Sequence, residues 1–254
     1  MELFYRKIGQ GKPLFILHGL FGLSDNWTTV GKLLSGFFEV YLIDLRNHGH
    51  SPHSDDWSYP LMATDIFDLA SKHKSVSIMG HSLGGKVAMQ FASMYPEKTD
   101  KLIVVDIAPK NYPSNQFNFI EKLLSINLSV FASRKEVETE LVKIVKDQAT
   151  IQLLLKNIHW NDKDKLAWKF NLKVIAENQN KINNSFSIEK NIITIPSLFI
   201  RGEKSDYILD TDIPNIEKLF SNSKFTTILE AGHWVHADKP KEFTETLVSW
   251  ISVI

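Results

Sequence analysis

Cysteine is absent from the 254 residues, and this absence excludes disulfide bonds, thiolate metal sites, iron–sulfur clusters and a cysteine nucleophile. Neither sign of charge is in excess, because 29 Lys and Arg residues balance 29 Asp and Glu residues. A chain of zero net charge has no overall field that would attract a polyanion, so nucleic acid is not an expected partner. No run of 18 or more apolar residues is present, so we expect no membrane-spanning helix.

An apolar run at Pro13–Leu23 follows several basic residues and superficially resembles a secretory signal peptide. His18 and two glycines interrupt this run, and no small-residue cleavage site follows it. We therefore expect a cytoplasmic protein. The composition leaves its oligomeric state open.

Short apolar runs alternate with helical patterns along the chain, which is typical of an α/β protein, a mostly parallel sheet with helices on both faces. Each predicted core strand is a continuous apolar run, as expected for strands covered on both sides. An antiparallel edge strand is predicted at Leu3–Ile8. The core strands are predicted at Leu14–Leu17, Val40–Ile43, Val76–Met79, Leu102–Val105, Leu198–Ile200 and Thr226–Leu229. The helices are predicted at Trp27–Leu34, Tyr59–Ser71, Leu83–Tyr95, Ile213–Phe220 and Glu242–Ile251.

The alternation stops between about Pro113 and Asn191. Apolar residues in this stretch recur at helical spacing, with charged residues between them, and no strand-like run is present. The pattern predicts a helical insertion of residues 113–191 within a core formed by residues 1–112 and 192–254.

A serine between two small residues provides the strongest local signal. The segment Gly80-His81-Ser82-Leu83-Gly84 lies directly after the strand predicted at Val76–Met79 and directly before an apolar helix. A sharp strand-to-helix turn of this kind projects a serine hydroxyl above the sheet, where it can act as a nucleophile. Small residues are needed two positions before and after the serine, because the turn brings their backbones close together. A serine that caps the helix is the simpler structural alternative.

The same segment also matches most of a phosphate-binding loop. Gly80 to Lys86 fits Gly-x-x-x-x-Gly-Lys, and Leu102–Asp106 resembles an apolar strand that ends in a magnesium-binding aspartate. Val87, however, occupies the position where a Ser or Thr hydroxyl has to reach the metal. We therefore expect no nucleotide at this turn. His48 and His50 form a pair that could suggest a metal site, but neither a carboxylate nor a third histidine is spaced as a ligand set requires, so we expect no metal.

A second glycine-containing turn, His18-Gly19-Leu20-Phe21-Gly22, follows the predicted strand Leu14–Leu17. Backbone N–H groups at such a turn can stabilise the negative charge that develops on a carbonyl oxygen during acyl transfer. We predict that the N–H groups of Leu83 and Leu20 form this oxyanion hole, with that of Phe21 as the alternative to Leu20. Taken alone, the motif also fits an ordinary glycine-rich turn.

Serine is a weak nucleophile unless a neighbouring imidazole removes its proton. In the chain order that goes with this turn, the base comes last, after the final strand. His233 follows Gly232 in the loop after Thr226–Leu229, and we predict that it is the base. His236 is the alternative and is expected to be structural, whereas His18 is expected to brace the oxyanion turn.

Two aspartates compete for the role of orienting the imidazole. Asp106 ends the strand Leu102–Val105, and Asp206 follows the strand Leu198–Ile200. Either carboxylate could lie beneath His233, because the carboxyl ends of parallel strands meet at one edge of the sheet. The spacing alone does not choose between them, and a solvated loop aspartate is the simpler interpretation of each.

Taken together, these motifs resemble the α/β-hydrolase superfamily and, more narrowly, the YbfF-type esterases. The resemblance extends over nearly the whole chain. It includes both turns, the segment Gly232-His233-Trp234, and two stretches specific to the subgroup, Arg46-Asn47-His48-Gly49 and Val105-Asp106-Ile107-Ala108-Pro109. A serine nucleophile argues against the dehalogenases and epoxide hydrolases of this fold, which carry aspartate at the same turn.

The resemblance implies that Ser82 is the nucleophile, His233 the base and Asp106 the acid. It also implies that Ser205 stands where most hydrolases carry the acidic aspartate, and that its hydroxyl hydrogen-bonds within the same network. Asp206 beside it departs from the pattern and keeps the alternative acid open. The family further implies the α/β-hydrolase fold, with the insertion forming a helical cap after strand six.

The implied substrates are small acyl esters or acyl thioesters, which are hydrolysed through an acyl-enzyme without a cofactor. The candidates for an apolar acyl pocket are Phe21, Trp168, Phe170 and Trp234, and core packing is an equally good explanation of any one of them. Two other functions compete with this one: a carbon–carbon hydrolase or lyase with the same triad, and a small-molecule receptor on the same fold.

Overall fold

Continuous apolar runs form a sheet whose central strands are buried on both faces. The computed structural model describes residues 1–112, 119–184, 186, 188 and 192–252. The strands within these residues are β1 (Tyr5–Ile8), β2 (Lys12–Leu17), β3 (Phe38–Ile43), β4 (Val76–His81), β5 (Thr99–Val105), β6 (Ile158–Trp160), β7 (Leu166–Trp168), β8 (Ser197–Gly202) and β9 (Ser223–Ile228).

Seven of the described strands form one sheet in the order β1-β3-β2-β4-β5-β8-β9. All neighbours in this sheet are parallel except β1 and β3, which are antiparallel. The predicted core strands and the antiparallel edge strand are therefore confirmed. Several strands extend beyond the predicted apolar runs into polar residues, because ladder hydrogen bonds involve the backbone and not the side chains.

Helices cover both faces of the sheet, as predicted. Val30 and Leu34 pack on one face beside Phe243 and Leu247, whereas Ile66 packs on the other face with residues of the third helix. The described helices are α1 (Thr28–Leu34), α2 (Tyr59–Ala70), α3 (Leu83–Met94), α4 (Phe119–Leu124), α5 (Arg134–Ile144), α6 (Gln148–Lys156), α7 (Leu172–Asn184), α8 (Ile213–Leu219), α9 (Val235–Asp238) and α10 (Pro240–Ser252).

The insertion between β5 and β8 contains α4 to α7 and is mainly helical. The expectation that it holds no strand is wrong, because β6 and β7 pair as an antiparallel hairpin. Each of these strands has only three residues, which is too short for an apolar pattern to identify. The predicted boundaries at Pro113 and Asn191 lie outside the described residues.

The insertion follows the fifth strand of the described sheet and not the sixth, as the family resemblance had implied. The sheet begins with a single antiparallel strand, β1, which pairs only with β3 within the part of the chain that is described. One strand fewer therefore precedes the insertion.

The parallel strands place their carboxyl ends at one edge of the sheet. β2 leads into the His18 turn, β4 into Ser82, β5 into Asp106, β8 into Ser205 and β9 into the loop of His233. Five segments that are far apart in sequence therefore meet at the edge where parallel sheets bind their ligands. None of the helices in the described ranges is long and apolar enough to cross a membrane.

Candidate active site

Ser82 occupies a strained turn between β4 and α3. Its backbone φ is 52°, in the left-handed region that residues with a side chain seldom adopt. The Ser82 N–H donates a hydrogen bond to the carbonyl of Val105 at 3.1 Å, which ties the turn to the neighbouring strand. Strain of this kind persists only where the surrounding structure holds it, and it is common at functional sites.

Two glycines permit this turn because other backbone segments pass very close to them. A Cβ atom on Gly80 would lie 2.0 Å from the carbonyl oxygen of Gly84. A Cβ atom on Gly84 would lie 2.5 Å from the carbonyl oxygen of His18. The small residues on either side of Ser82 therefore let the two turns at this edge pack against each other.

The imidazole of His233 is paired with the carboxylate of Asp106. The distance from His233 Nδ1 to Asp106 Oδ2 is 2.7 Å, and the Asp106 side chain is completely buried. An ionised carboxylate only accepts hydrogen bonds, so Nδ1 carries the proton and Nε2 is left as the basic nitrogen. This pairing is the one that a proton acceptor for serine requires.

The Asp106 carboxylate accepts two further hydrogen bonds. The hydroxyl of Ser205 donates a short hydrogen bond to Oδ2, and the N–H of Gly202 donates to Oδ1 at 3.2 Å. The structure therefore brings Ser205 into the network, as the family resemblance implies. Asp206, the alternative acid, is exposed to solvent.

Two contacts hold the His233 loop. The ring of Tyr207 stacks on the imidazole with centroids 3.8 Å apart and an interplanar angle of 14°. His81 Nε2 donates to the carbonyl of His233 at 2.8 Å. Burial lowers the pKa of His81 well below its usual value, so this donor is a neutral imidazole. The sequence analysis did not identify Tyr207, although it lies two residues after Ser205.

His236, the alternative base, packs in the core. Its ring stacks on Trp27 with centroids 3.9 Å apart and an interplanar angle of 11°. Burial lowers the pKa of His236 to about 3. The structure therefore gives His236 a packing contact and leaves the pairing with Asp106 to His233.

Two buried histidines hold the turn that carries Leu20 and Phe21. His18 Nδ1 donates to the carbonyl of Gly19 at 2.8 Å, and its Nε2 accepts from the N–H of Leu45 at 3.0 Å. Burial lowers the pKa of His18 to about 4, so the ring is neutral at neutral pH. This is the bracing role that the sequence predicts for His18.

The side chain of His48 accepts a hydrogen bond from one of the two N–H groups of this turn considered for the oxyanion hole. The N–H of Phe21 donates to His48 Nε2 at 3.3 Å, and burial lowers the pKa of His48 to about 3. The Phe21 N–H is therefore already engaged, which favours Leu20 as the donor to an oxyanion. Sequence reasoning missed this contact, although the Arg46-Asn47-His48-Gly49 stretch marks the segment that supplies it.

A cavity of about 430 Å³ lies above Ser82 and His233. Phe21 and Trp234, two of the candidate pocket residues, line it together with Phe119, Asp147, Thr150 and Leu153 of the insertion. Two predicted pocket residues lie elsewhere: the Phe170 ring packs 4.9 Å from that of Phe21, and Trp168 stacks on Phe170 at 4.9 Å. The β6–β7 hairpin and the residues after it thus form a layer behind Phe21.

The polar groups of the site do not form a metal-binding cluster. In residues 1–112, 119–184, 186, 188 and 192–252, no group of three or more His, Cys, Asp or Glu side chains is arranged to hold a metal ion. His48, which stands near His50 in sequence, is engaged with Phe21 and with the carbonyl of Arg46.

A comparison with known proteins shows the family to which the chain belongs. A model of the alpha/beta hydrolase fold matches residues 12–240. The chain belongs to the α/β-hydrolase family. This match confirms the predicted fold class and leaves only short segments at each end of the chain outside it.

Several of the chain's relatives carry the names of esterases or lipases. The chain is 35% identical over 231 residues to a putative esterase/lipase of Haemophilus influenzae, covering 89% of this chain and 78% of that protein. It is 30% identical to Esterase YbfF of Escherichia coli, covering 90% of this chain and 88% of that protein. A solved structure of a marine microorganism esterase is 43% identical, with a TM-score of 0.94 and coverage of 98% and 99%. The chain is therefore a hydrolase of the esterase/lipase type, and the predicted resemblance is confirmed.

Replacement of Gly80 by alanine is expected to destabilise the fold. The new Cβ atom would meet backbone atoms of Gly84 and Gly85, which cannot move without distorting α3. We expect the free energy of unfolding to fall by at least about 2 kcal/mol in urea denaturation. Gly36→Ala is the matched control, since no atom lies within 4 Å of its Cβ position, and it should change stability by less than about 0.5 kcal/mol. Equal effects of the two substitutions would contradict the close packing described here.

The buried neutral histidines predict that stability falls in mild acid. The unfolded chain binds protons on histidine below about pH 6.5, whereas folded His18 and His236 do so only near pH 4 and pH 3. The contribution of these two histidines to stability is therefore fully present above about pH 6.5. It is lost as the pH falls below that value, by up to about 1.4 kcal/mol per pH unit for each histidine.

His236→Phe isolates one of these contributions. Urea denaturation at several pH values between 6.5 and 4.5 should show a shallower dependence of the unfolding free energy on pH than in the unmodified protein. His53→Gln, at an exposed position, is the control and should leave the slope unchanged. An unchanged slope in His236→Phe would show that this ring takes up a proton in the folded state.

Proposed function

We propose that the chain hydrolyses carboxylic acyl esters or thioesters through a covalent acyl-enzyme on Ser82. The observation that carries this proposal is the hydrogen bond from His233 Nδ1 to the buried Asp106 carboxylate, beside a cavity that Ser82 also lines. It leaves His233 Nε2 unprotonated at the cavity, where a base for the serine hydroxyl is needed.

In the first step Ser82 Oγ bonds to the carbonyl carbon while its proton passes to His233 Nε2. The imidazolium that forms is stabilised by Asp106, whose charge is already held by Ser205 and Gly202. The carbonyl oxygen becomes negatively charged and is stabilised by the N–H groups of Leu83 and Leu20.

In the second step the bond from the carbonyl carbon to the leaving oxygen or sulfur breaks, and His233 gives its proton to the leaving group. A water molecule then attacks the carbonyl carbon of the acyl-enzyme while its proton passes to His233. The bond from that carbon to Ser82 Oγ breaks, His233 returns the proton to Oγ, and the free acid leaves. Every proton is transferred by a group of this chain, so the reaction needs no cofactor.

The cavity above Ser82 supports a small acyl substrate. Its apolar walls come from Phe21 and Trp234 of the core and from Phe119 and Leu153 of the cap. Such a wall lowers the local dielectric, which strengthens the interaction between the oxyanion and its N–H donors.

In this proposal residues 1–112 and 192–254 form the catalytic core, and residues 113–191 form its cap. The cytoplasmic location stays a prediction.

Ser82→Ala is expected to abolish covalent labelling by a fluorophosphonate probe. It should also abolish hydrolysis across a panel of esters and thioesters of increasing acyl length, because no other group can form the acyl-enzyme. Ser77→Ala, at a buried serine on the same strand, is the control and should keep both properties. Continued labelling of Ser82→Ala would refute the assignment of the nucleophile.

Asp106→Asn is expected to lower kcat/KM by roughly 10⁴-fold, because an amide no longer selects the tautomer in which Nε2 is the base. Asp206→Asn should retain nearly all activity, since that side chain is exposed. Both variants are to be compared by steady-state kinetics after circular dichroism has shown that they are folded. A large loss in Asp206→Asn, with Asp106→Asn near normal, would reverse the choice of acid.

A further inference from the structure

A second, smaller cavity lies beside Ser82, and its lining differs from that of the first. Its volume is about 40 Å³, and it is bordered by Ser82, Leu20 and Leu83 but not by His233. Tyr207, which stacks on His233, borders both cavities. Ser82 and Leu20 also border both cavities, whereas Leu83 borders only the smaller one and His233 only the larger one.

In this arrangement, each of the two cavities binds one half of an ester. The leaving group has to receive its proton from His233, so it lies in the larger cavity that His233 lines. The acyl group extends to the other side of the carbonyl carbon and enters the smaller cavity. A volume of about 40 Å³ holds only about three water-sized groups, which restricts the acyl chain to a short one.

A buried lysine lines the far side of the smaller cavity. Lys86 lies one helical turn after Ser82 on α3, where its N–H donates to the Ser82 carbonyl at 3.1 Å. Only 3% of the Lys86 surface is exposed. The position suits contact with the end of a short acyl chain bound at Ser82.

The Lys86 ammonium is surrounded by aromatic rings. Its Nζ lies 4.9 Å from the ring centroid of Tyr112, 5.2 Å from that of Phe186 and 5.7 Å from that of Tyr59. Aromatic faces attract a cation but do not accept its protons as a carboxylate does. Burial lowers the pKa of Lys86 to about 7, which reflects this incomplete compensation.

Lys86 has no anionic partner in the part of the chain that is described. None of the ion pairs or hydrogen bonds found there includes its Nζ. Buried lysines are ordinarily paired, and Lys101, a second buried lysine among the described residues, donates from its Nζ to the carbonyl of Ile251 at 3.0 Å. The aromatic enclosure at Lys86 therefore presents three unpaired N–H donors to the smaller cavity.

We propose that Lys86 binds a carboxylate at the end of a short acyl chain, so that half-esters of small dicarboxylic acids are preferred substrates. The proposal rests on the serine hydrolase function proposed above. A carboxylate would complete the coordination of the ammonium within the aromatic enclosure, whereas an uncharged chain would bury the same donors without a partner.

The test compares two esters that differ only in this charge. Monoethyl succinate carries the terminal carboxylate, and ethyl 4-methylpentanoate carries an isopropyl group of nearly the same shape. We expect the unmodified protein to hydrolyse monoethyl succinate with a kcat/KM at least about tenfold higher, measured by release of ethanol.

Lys86→Met removes the charge and keeps a flexible apolar side chain. The ratio of the two kcat/KM values, charged over uncharged, should fall by about 30-fold, the effect expected when one partner of a buried charge pair is removed. Lys101→Met is the matched control, because it removes a buried lysine that lies over the ring of Trp250, away from the site. This control should leave the ratio unchanged.

Equal kcat/KM values for the two esters in the unmodified protein would overturn the role of Lys86, whether or not the variant folds. An equal loss on both esters in Lys86→Met would also overturn it and would identify the lysine as a packing element. If neither ester is hydrolysed, fluorophosphonate labelling separates the two failures. Labelling of Ser82 would refute only the acyl preference, and its absence would refute the proposed function as well.

Discussion

The carboxylate of Asp106 imposes the constraint on which the rest of the site depends. It is fully buried, and a charge in such a place is tolerated only when hydrogen-bond donors satisfy it. The donors are the ring of His233, the hydroxyl of Ser205 and the N–H of Gly202. They meet because β5, β8 and β9 are adjacent parallel strands that end at one edge. The hydrogen bond that satisfies this carboxylate also selects the tautomer of the His233 ring.

At the same edge, strained backbone turns lie next to buried, uncharged histidines. Ser82, Asp106 and Phe21 all have positive φ angles, and each follows or lies close to the end of a parallel strand. Buried imidazoles whose pKa values are lowered, among them His18 and His48, fill the space behind these turns. Because they are uncharged, they can accept and donate hydrogen bonds without adding an unpaired charge to the core.

The cap and the core contribute differently to selectivity. Cap residues such as Phe119 and Leu153 close the larger cavity, where the leaving group lies in the proposed mechanism. The smaller cavity is formed largely by the core and ends at Lys86. A single sheet edge thus provides two cavities of different size beside Ser82, and in the proposed mechanism each of them binds one half of an ester.

The sequence by itself determined the layered fold, the strained serine turn and the loop that carries His233, because burial on both faces and tight turns leave local patterns of apolar residues and glycine. It could not choose between Asp106 and Asp206, since both follow parallel strands and only packing decides which carboxylate is buried beneath the imidazole. The tertiary structure likewise decided three other features: the two three-residue strands of the insertion, the position of Trp168 behind Phe21, and the aromatic enclosure of Lys86. Each of them depends on contacts between distant segments, and such contacts leave no periodic signal in the chain.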